Sequence, residues 1–326
     1  MNHLITGGAG FIGSHLADLL SEDQNNNIII LDNLEVGQKR NIPNKPNISF
    51  IHCDISSQYG ILKNALKDVD YVYHLAARAD VVPSIELPER YFDVNVKGTI
   101  NVLEAARENN VKGLIYSASS SCYGIPSVFP TPEDSEIKPM YPYALTKRLG
   151  EELVLHWEKV YGIRALSLRF FNVYGTRART SGTYGAVFGV FLAQKLAGKP
   201  FTIVGDGEQT RDFTYVTDVA NAIKTVLEEG KSGHIYNVGS GKTVSINKIV
   251  ELIGGPSEFI PKRPGEPHIT FADIKKITSE TSWRPQITID EGVGIMLENI
   301  SYWADAPVWD AESISQETKS WFKYLS

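Results

Sequence analysis

Three glycines near the N-terminus set the first limit on the fold. Thr6-Gly7-Gly8-Ala9-Gly10-Phe11-Ile12-Gly13 spaces Gly7, Gly10 and Gly13 as G-x-x-G-x-x-G between a short apolar run, His3–Thr6, and an amphipathic stretch, Phe11–Leu20. Without Cβ atoms, the backbone of such a turn lets its N–H groups approach a pyrophosphate, whose charge the N-terminus of the following helix then favours. The next apolar run, Ile28–Leu31, ends at Asp32, 19 residues beyond Gly13. A carboxylate at that distance accepts both hydroxyls of an adenosine ribose and repels a 2′-phosphate, so the expected cofactor is NAD rather than NADP. Asp54, after the run Ile48–His52, reads either as a partner for the adenine edge or as an ordinary turn residue.

The first half of the chain alternates two periodicities. Further short runs at Tyr71–Leu75, Leu114–Ser117 and Ala165–Arg169 are too brief for helices and read as buried strands, with helical patterns at Asn95–Glu108 and Tyr143–Tyr161. Strands joined by helical crossovers imply a mostly parallel sheet covered on both faces, a Rossmann-type doubly wound α/β fold. Past Asn172 the pattern loosens into the Gly-rich Thr176–Gly185, a helical Ala186–Ala197 and a Gly205-Asp206-Gly207 turn. Val216–Leu227 then reads as a helix and His234–Val238 as one more strand. The expected division is residues 1–172, with 214–240 returning to them, as the dinucleotide domain, and 173–326 as a smaller, interleaved substrate-binding domain.

Composition excludes several classes. The 326 residues suffice for roughly two domains of about 150 residues each. A net charge of -6 gives no reason to expect a nucleic-acid partner. The longest weakly polar stretch, Gly185–Ala193, is too short to span a bilayer, and Met1-Asn2-His3 is no basic lead-in to a signal core, so no membrane partner and a cytoplasmic setting are expected. Cys53 and Cys122 form neither a disulfide framework nor a zinc motif, and no metal is expected. Cys122 reads as a packing residue, and His74, at the end of a buried strand, as a satisfied polar core group.

Tyr143 and Lys147, four apart at the start of a predicted helix, share one face. A phenol with a pKa near 10 is a poor base at neutral pH; a neighbouring ammonium favours its anion, which can then accept the proton of an alcohol as hydride leaves. A hydroxyl cluster, Ser117-Ala118-Ser119-Ser120-Ser121-Cys122-Tyr123-Gly124, follows the fifth strand, where ligands bind in doubly wound folds. Together with the glycine turn, these residues resemble the extended short-chain dehydrogenase/reductase family, in its nucleotide-sugar epimerase and dehydratase branch. Asp93-Val94-Asn95-Val96-Lys97-Gly98-Thr99, Phe171-Asn172-Val173-Tyr174-Gly175, Thr210-Arg211-Asp212-Phe213 and Arg263-Pro264-Gly265-Glu266 extend the resemblance, which runs from about Met1 to about Leu297.

The resemblance implies Ser119, Tyr143 and Lys147 as the catalytic set, with Asn95 bracing the site. It implies an NAD site drawing on Gly7, Gly10, Phe11, Ile12, Asp32, Asn33, Asp54, Ile55, Leu75, Ala76, Ala77, Asn95, Ser117, Tyr143, Lys147 and Phe170. Substrate contacts are expected from Ser119, Asn172, Ala186, Val187, Arg211, Arg263, Glu266 and Thr270, with Asn172, Arg211 and Arg263 on the nucleoside diphosphate; a guanidinium fork suits phosphate oxygens. Related dehydratases carry an Asp-Glu pair where this chain has Ser120 and Ser121, and related decarboxylases usually keep a Glu at the position of Ser121. With these carboxylates missing, 4-epimerisation of a UDP-hexose is the favoured reaction. A UDP-glucuronate 4-epimerase or another branch member is the alternative, and a non-catalytic NAD-binding regulator the alternative of another class.

Thr270 stands where bulk obstructs an N-acetyl group in related 4-epimerases; its small side chain either admits UDP-N-acetylglucosamine or makes no substrate contact. Family members commonly pair through helices matching Asn95–Glu108 and Tyr143–Tyr161, with which Val102, Leu103, Leu149, Leu153 and Val154 are compatible, so a homodimer is expected. Trp303, Trp309 and Trp321 lie beyond the resemblance. Ile314, Thr318, Trp321 and Phe322 would share a face of a helix over Glu312–Tyr324, for docking on the body or on a second subunit.

Overall fold

A computed structural model describes residues 1–178 and 187–325. The six apolar runs are strands β1 (Asn2–Thr6), β2 (Asn27–Asp32), β3 (Ile48–His52), β4 (Tyr71–His74), β5 (Gly113–Ser119) and β6 (Ala165–Phe170). They are followed by β7 (Asn172–Tyr174), β8 (Phe201–Val204), β9 (Thr210–Arg211), β10 (Phe213–Tyr215), β11 (Ile235–Val238), β12 (Val244–Ser245) and β13 (Ser257–Ile260). The central sheet has seven parallel strands in the order β11-β6-β5-β4-β1-β2-β3. The order reverses between β1 and β4, which opens a crevice beyond the carboxyl ends of the strands.

Both faces of the sheet are covered, which is why its strands read as continuous apolar runs rather than alternating ones. On one face, helices Phe11–Leu20 and Val216–Glu229 bring Leu16, Leu20, Ile223 and Val226 against Ile5, Ile28, Ile115 and Leu168. On the other, Tyr59–Ala65, Gly98–Glu108 and Pro142–Tyr161 bring Leu62, Leu103 and Val154 against Leu4, Val72 and Leu114. Each such aliphatic side chain, fully withdrawn from water, contributes about 1.5–3 kcal/mol. Val102, Leu103 and Val154 are wholly buried in this layer and are not available to a partner; Leu149 and Leu153 remain half-buried. The helix expected from Asn95 starts earlier, at Pro88, a residue suited to a first helical position, and passes through a widened turn at Asp93–Lys97 into Gly98–Glu108.

Beyond β6 lie the pairs β7–β10 and β8–β13, both parallel, and the antiparallel β9–β12. With helices Val187–Leu196, Ile246–Ile253 and Ile289–Glu298 they enclose a third core that includes Phe188, Phe191, Phe201, Met296 and Trp303. The aromatic tail docks on the body. It forms two short helices, Ala311–Glu317 and Lys319–Tyr324, divided at Thr318, whose hydroxyl turns back to the Ile314 carbonyl at 2.7 Å. Ile314, Thr318 and Trp321 are buried and Phe322 half-buried. Among the described residues, no helix is long and apolar enough to cross a membrane.

Candidate active site

A cleft of about 760 Å³ runs along the carboxyl ends of the sheet. At its floor Gly7 adopts φ +71° and donates its N–H to the Leu31 carbonyl at 2.8 Å. A Cβ at Gly7 would stand 2.7 Å from the Ala76 nitrogen, and one at Gly13 would collide with the Gly7 carbonyl oxygen. Among the described residues no side chain caps the helix that starts after Gly10, and its first residues, Phe11, Ile12 and Gly13, line the cleft. Asp32, nearly buried, accepts the Ala9 N–H at 3.1 Å on one oxygen and the Leu34 N–H at 2.8 Å on the other. Burial raises the proton affinity of this carboxyl against those two bonds, and each oxygen keeps a lone pair for a hydroxyl donor. Asp54 accepts the backbone and hydroxyl of Ser56 at 2.8 and 2.7 Å, and Asn33 reaches its other oxygen at 3.5 Å. Uncapped donors, a glycine-only turn and a ribose-ready carboxylate fit a dinucleotide.

The centre of the cleft is held by the helix Pro142–Tyr161. Lys147 is 4% exposed; its ammonium lies 4.6 Å from the Tyr116 ring centroid and donates to Ser117 Oγ at 3.4 Å, which in turn donates to the His74 carbonyl at 3.1 Å. Burial pushes the Lys147 ammonium down to about 7, with Glu151 one turn further along the helix pulling the other way. Glu151 itself is clamped by Arg169 through two bonds, 3.0 and 2.7 Å, which locks the helix to β6. Tyr143 is pushed above its ordinary value by burial, while a hydrogen bond with Ser119 favours its anion. Ser119 Oγ accepts from both the N–H and the hydroxyl of Ser121, at 3.2 and 2.9 Å.

Asn95, expected among the cofactor contacts, does not line the cleft. It is 1% exposed; its amide donates to the Arg78 carbonyl and to Thr146 Oγ1, both at 3.0 Å, and accepts the Arg78 N–H at 2.8 Å. Thr146 Oγ1 in turn donates to the Tyr143 carbonyl at 2.9 Å, so Asn95 ties the loop after β4 to the start of the Tyr143 helix. His74 is a core group, bonded to Thr6 at 2.8 Å and Thr99 at 2.9 Å, and burial lowers its pKa to about 3. Cys53 and Cys122 are free and buried, their thiols pushed up by burial to about 11 and about 12.

On the far bank Arg211, 7% exposed, bonds Glu266 at 2.8 Å and the Thr210 and His268 carbonyls at 2.9 and 3.2 Å. Arg263 stands 3.9 Å from the other Glu266 oxygen. Thr270 donates to Asn172 Oδ1 at 2.7 Å and accepts the Asp212 N–H at 3.3 Å. Asn172, Val187, Arg211, Arg263, Glu266 and Thr270 line the same cleft as Ser119, Tyr143 and Lys147. So do Gly10, Phe11, Ile12, Ile55, Leu75, Ala76, Ala77, Ser117 and Phe170. Ala186 lies outside the described residues.

A family model described as the NAD dependent epimerase/dehydratase family matches residues 3–239. The chain belongs to this family. NAD is accordingly its cofactor. UDP-glucose 4-epimerase of Mycolicibacterium smegmatis is 34% identical over 310 residues, spanning 91% of this chain and 98% of that one. UDP-N-acetylglucosamine 4-epimerase from Methanobrevibacter ruminantium, solved with UDP-N-acetylmuramic acid, superposes with a TM-score of 0.85 at 35% identity, over 91% of this chain and 98% of that one. UDP-glucuronic acid 4-epimerase from Bacillus cereus, solved with UDP-glucuronic acid and NAD, has a TM-score of 0.85 at 33% identity, over 92% and 99%.

Three residues of this epimerase-family cleft and one behind its wall had no site role in the sequence reading. Asp80 lines the cleft, and its charge raises the proton affinity of Tyr143, whereas the sequence showed no carboxylate in the Ser119–Tyr123 turn. Tyr141 stacks on Tyr143 with centroids 6.3 Å apart and planes 8° from parallel. Asp212, fully buried, accepts the N–H groups of Ser240 and Gly241 in one loop and of Ala272 in another, and so gathers two loops behind Arg211 and Thr270. Trp321 reaches the cleft from the tail. Tyr141 had a local signal in the Y-x-Y ending at the acid/base, Asp212 lay inside the Thr210-Arg211-Asp212-Phe213 motif and Trp321 on the apolar face of the tail; Asp80 comes from a segment with no motif of its own.

Proposed function

We propose that the protein interconverts UDP-hexoses at C4, with UDP-glucose and UDP-N-acetylglucosamine as substrates. The observation that carries this reading is the convergence of Ser119, Tyr143 and Lys147 in one cleft with the Arg211 and Arg263 pair on its opposite bank. When bound, NAD supplies the acceptor, and then the donor, of the hydride at the sugar carbon. Tyr143 takes the proton of the C4 hydroxyl and later returns it. Ser119, polarised by two donors from Ser121, orients that hydroxyl, and the Lys147 ammonium stabilises the phenolate and holds the nicotinamide ribose. Phe11 and Ile12 would hold the cofactor pyrophosphate through backbone donors, Gly7 and Gly10, whose own N–H groups are bonded within the turn, would let it approach, and Asp32 would hold its ribose; residues 1–172 and 214–240 form the NAD side in this reading. The rest of residues 173–326 shapes the substrate side, where Arg211 and Arg263 anchor the diphosphate while the sugar turns over. A second copy completes a homodimer through Leu149, Leu153 and the exposed Leu145 and Val160 of the Tyr143 helix, and two buried thiols suit a cytoplasmic setting.

The test is product analysis by NMR with purified protein and UDP-glucose, UDP-N-acetylglucosamine or UDP-glucuronate. Interconversion of the first two is expected, with Tyr143→Phe slower by about 10³-fold yet still holding NAD. Turnover of the glucuronate alone would move the assignment to the hexuronates. A wild type and Tyr143→Phe equally inert with NAD bound would favour a regulator.

A further inference from the structure

Trp321 lies far outside the 3–239 match to the family, yet it is 8% exposed and forms part of the cleft wall. Its ring stands 6.1 Å from that of Tyr141 at 44°, and Tyr141 in turn stacks on Tyr143, so Trp321 is one ring removed from the group that must meet the reacting hydroxyl. Its indole N–H is spent on the Pro264 carbonyl at 2.6 Å. Arg263 sits over the ring, 5.8 Å from the centroid. The neighbouring Ser320 hydroxyl donates to Glu86 at 2.6 Å, at the end of helix Val81–Glu86. The tail therefore ties the loop region after β4 to the Arg263–Glu266 loop, across the mouth of the cleft.

We propose that Trp321 is a specificity residue that packs on the apolar face of the substrate hexose. With its N–H committed, the indole has only ring carbon to offer the cleft, and that surface suits the C–H face of a pyranose rather than a phosphate oxygen. The diphosphate is left to the guanidinium groups, and the hexose, whose C4 hydroxyl must reach Tyr143, falls against the Tyr141–Trp321 corner. This rests on the UDP-hexose reading above.

The experiment compares wild type, Trp321→Ala and Trp321→Phe in turnover of UDP-glucose and in competitive inhibition by UDP, which has no hexose, with NAD retention as the folding readout. Trp321→Ala is expected to raise KM for UDP-glucose about tenfold, with kcat and the UDP inhibition constant within about twofold of wild type. Trp321→Phe keeps a ring face and is expected to recover most of the loss. An unchanged KM in Trp321→Ala overturns the proposal. So does an equal weakening of UDP, which would place the effect on the diphosphate through Arg263, and so does loss of NAD or failure of Phe to rescue, which would make the role structural. A wild type inert towards UDP-sugars overturns the epimerase reading and this proposal with it, whereas an active wild type matched by Trp321→Ala overturns this proposal alone.

Discussion

On the NAD bank of the cleft, the wall is made from strand ends and the turns that follow them, so Gly7, Asp32, Asp54 and Leu75 each arrive directly from a sheet strand. On the substrate bank, Arg211, Glu266, Thr270 and Trp321 come from separate segments held together by Asp212, by the Arg211–Glu266 pair and by the docking of the tail. The first bank is positioned by the regular spacing of a parallel sheet, which leaves little freedom for where a strand end can lie. The second is positioned by side-chain bonds between loops, which can be exchanged without disturbing the sheet. Binding the invariant part of the reaction needs the former, and adapting to one sugar or another is possible with the latter.

This contrast can be broken from either side. The largest effect is expected for Gly7→Ala, which forces a side chain into φ +71° and against Ala76. A cost of up to about 3 kcal/mol predicts an NAD dissociation constant raised up to about 100-fold by calorimetry, with UDP affinity unchanged. A parallel loss of UDP binding would show that the two banks are not independent. Thr270→Tyr should act the other way, lowering kcat/KM for UDP-N-acetylglucosamine about tenfold relative to UDP-glucose while NAD binding stays as in wild type. Equal losses for both sugars would remove Thr270 from the acetyl site.

Lys147 lies between the banks, and its effect is the smallest. Burial lowers its ammonium from 10.5 to about 7. Between those values the folded chain has released a proton that the unfolded chain still holds, so stability rises with pH, and below about 7 the buried charge carries its full penalty. Lys147→Met has no such penalty. Its stability advantage over wild type should be greatest at pH 7 and shrink by about 1 kcal/mol per pH unit toward pH 9 in urea titrations. A gap independent of pH would mean that Lys147 keeps its proton throughout.

The NAD bank was legible from the chain because each of its signals is local. A glycine turn, a strand-end acid and two residues one helical turn apart need no knowledge of distant segments. Thr270 and the arginines were found only through resemblance, and what the structure adds is that Arg211 is already bonded to Glu266. Asp80 escaped because it follows a strand without any motif, and Asn95 was expected at the cofactor although its amide is used up bracing Arg78 and Thr146. The tail's apolar face was visible at Ile314, Thr318 and Trp321, but its docking site was not.

Periodicity and turn chemistry thus dictated the parallel sheet, its phosphate-binding turn and the Tyr143–Lys147 face, because those properties depend on neighbours within a few residues. Only tertiary packing decided that Asp80 would share a cleft with Tyr143, that Asp212 would gather the loops behind Arg211, and that Trp321 would stand beside Tyr141. Contacts between residues far apart in the chain are selected by how whole layers fit together, and no local pattern encodes that fit.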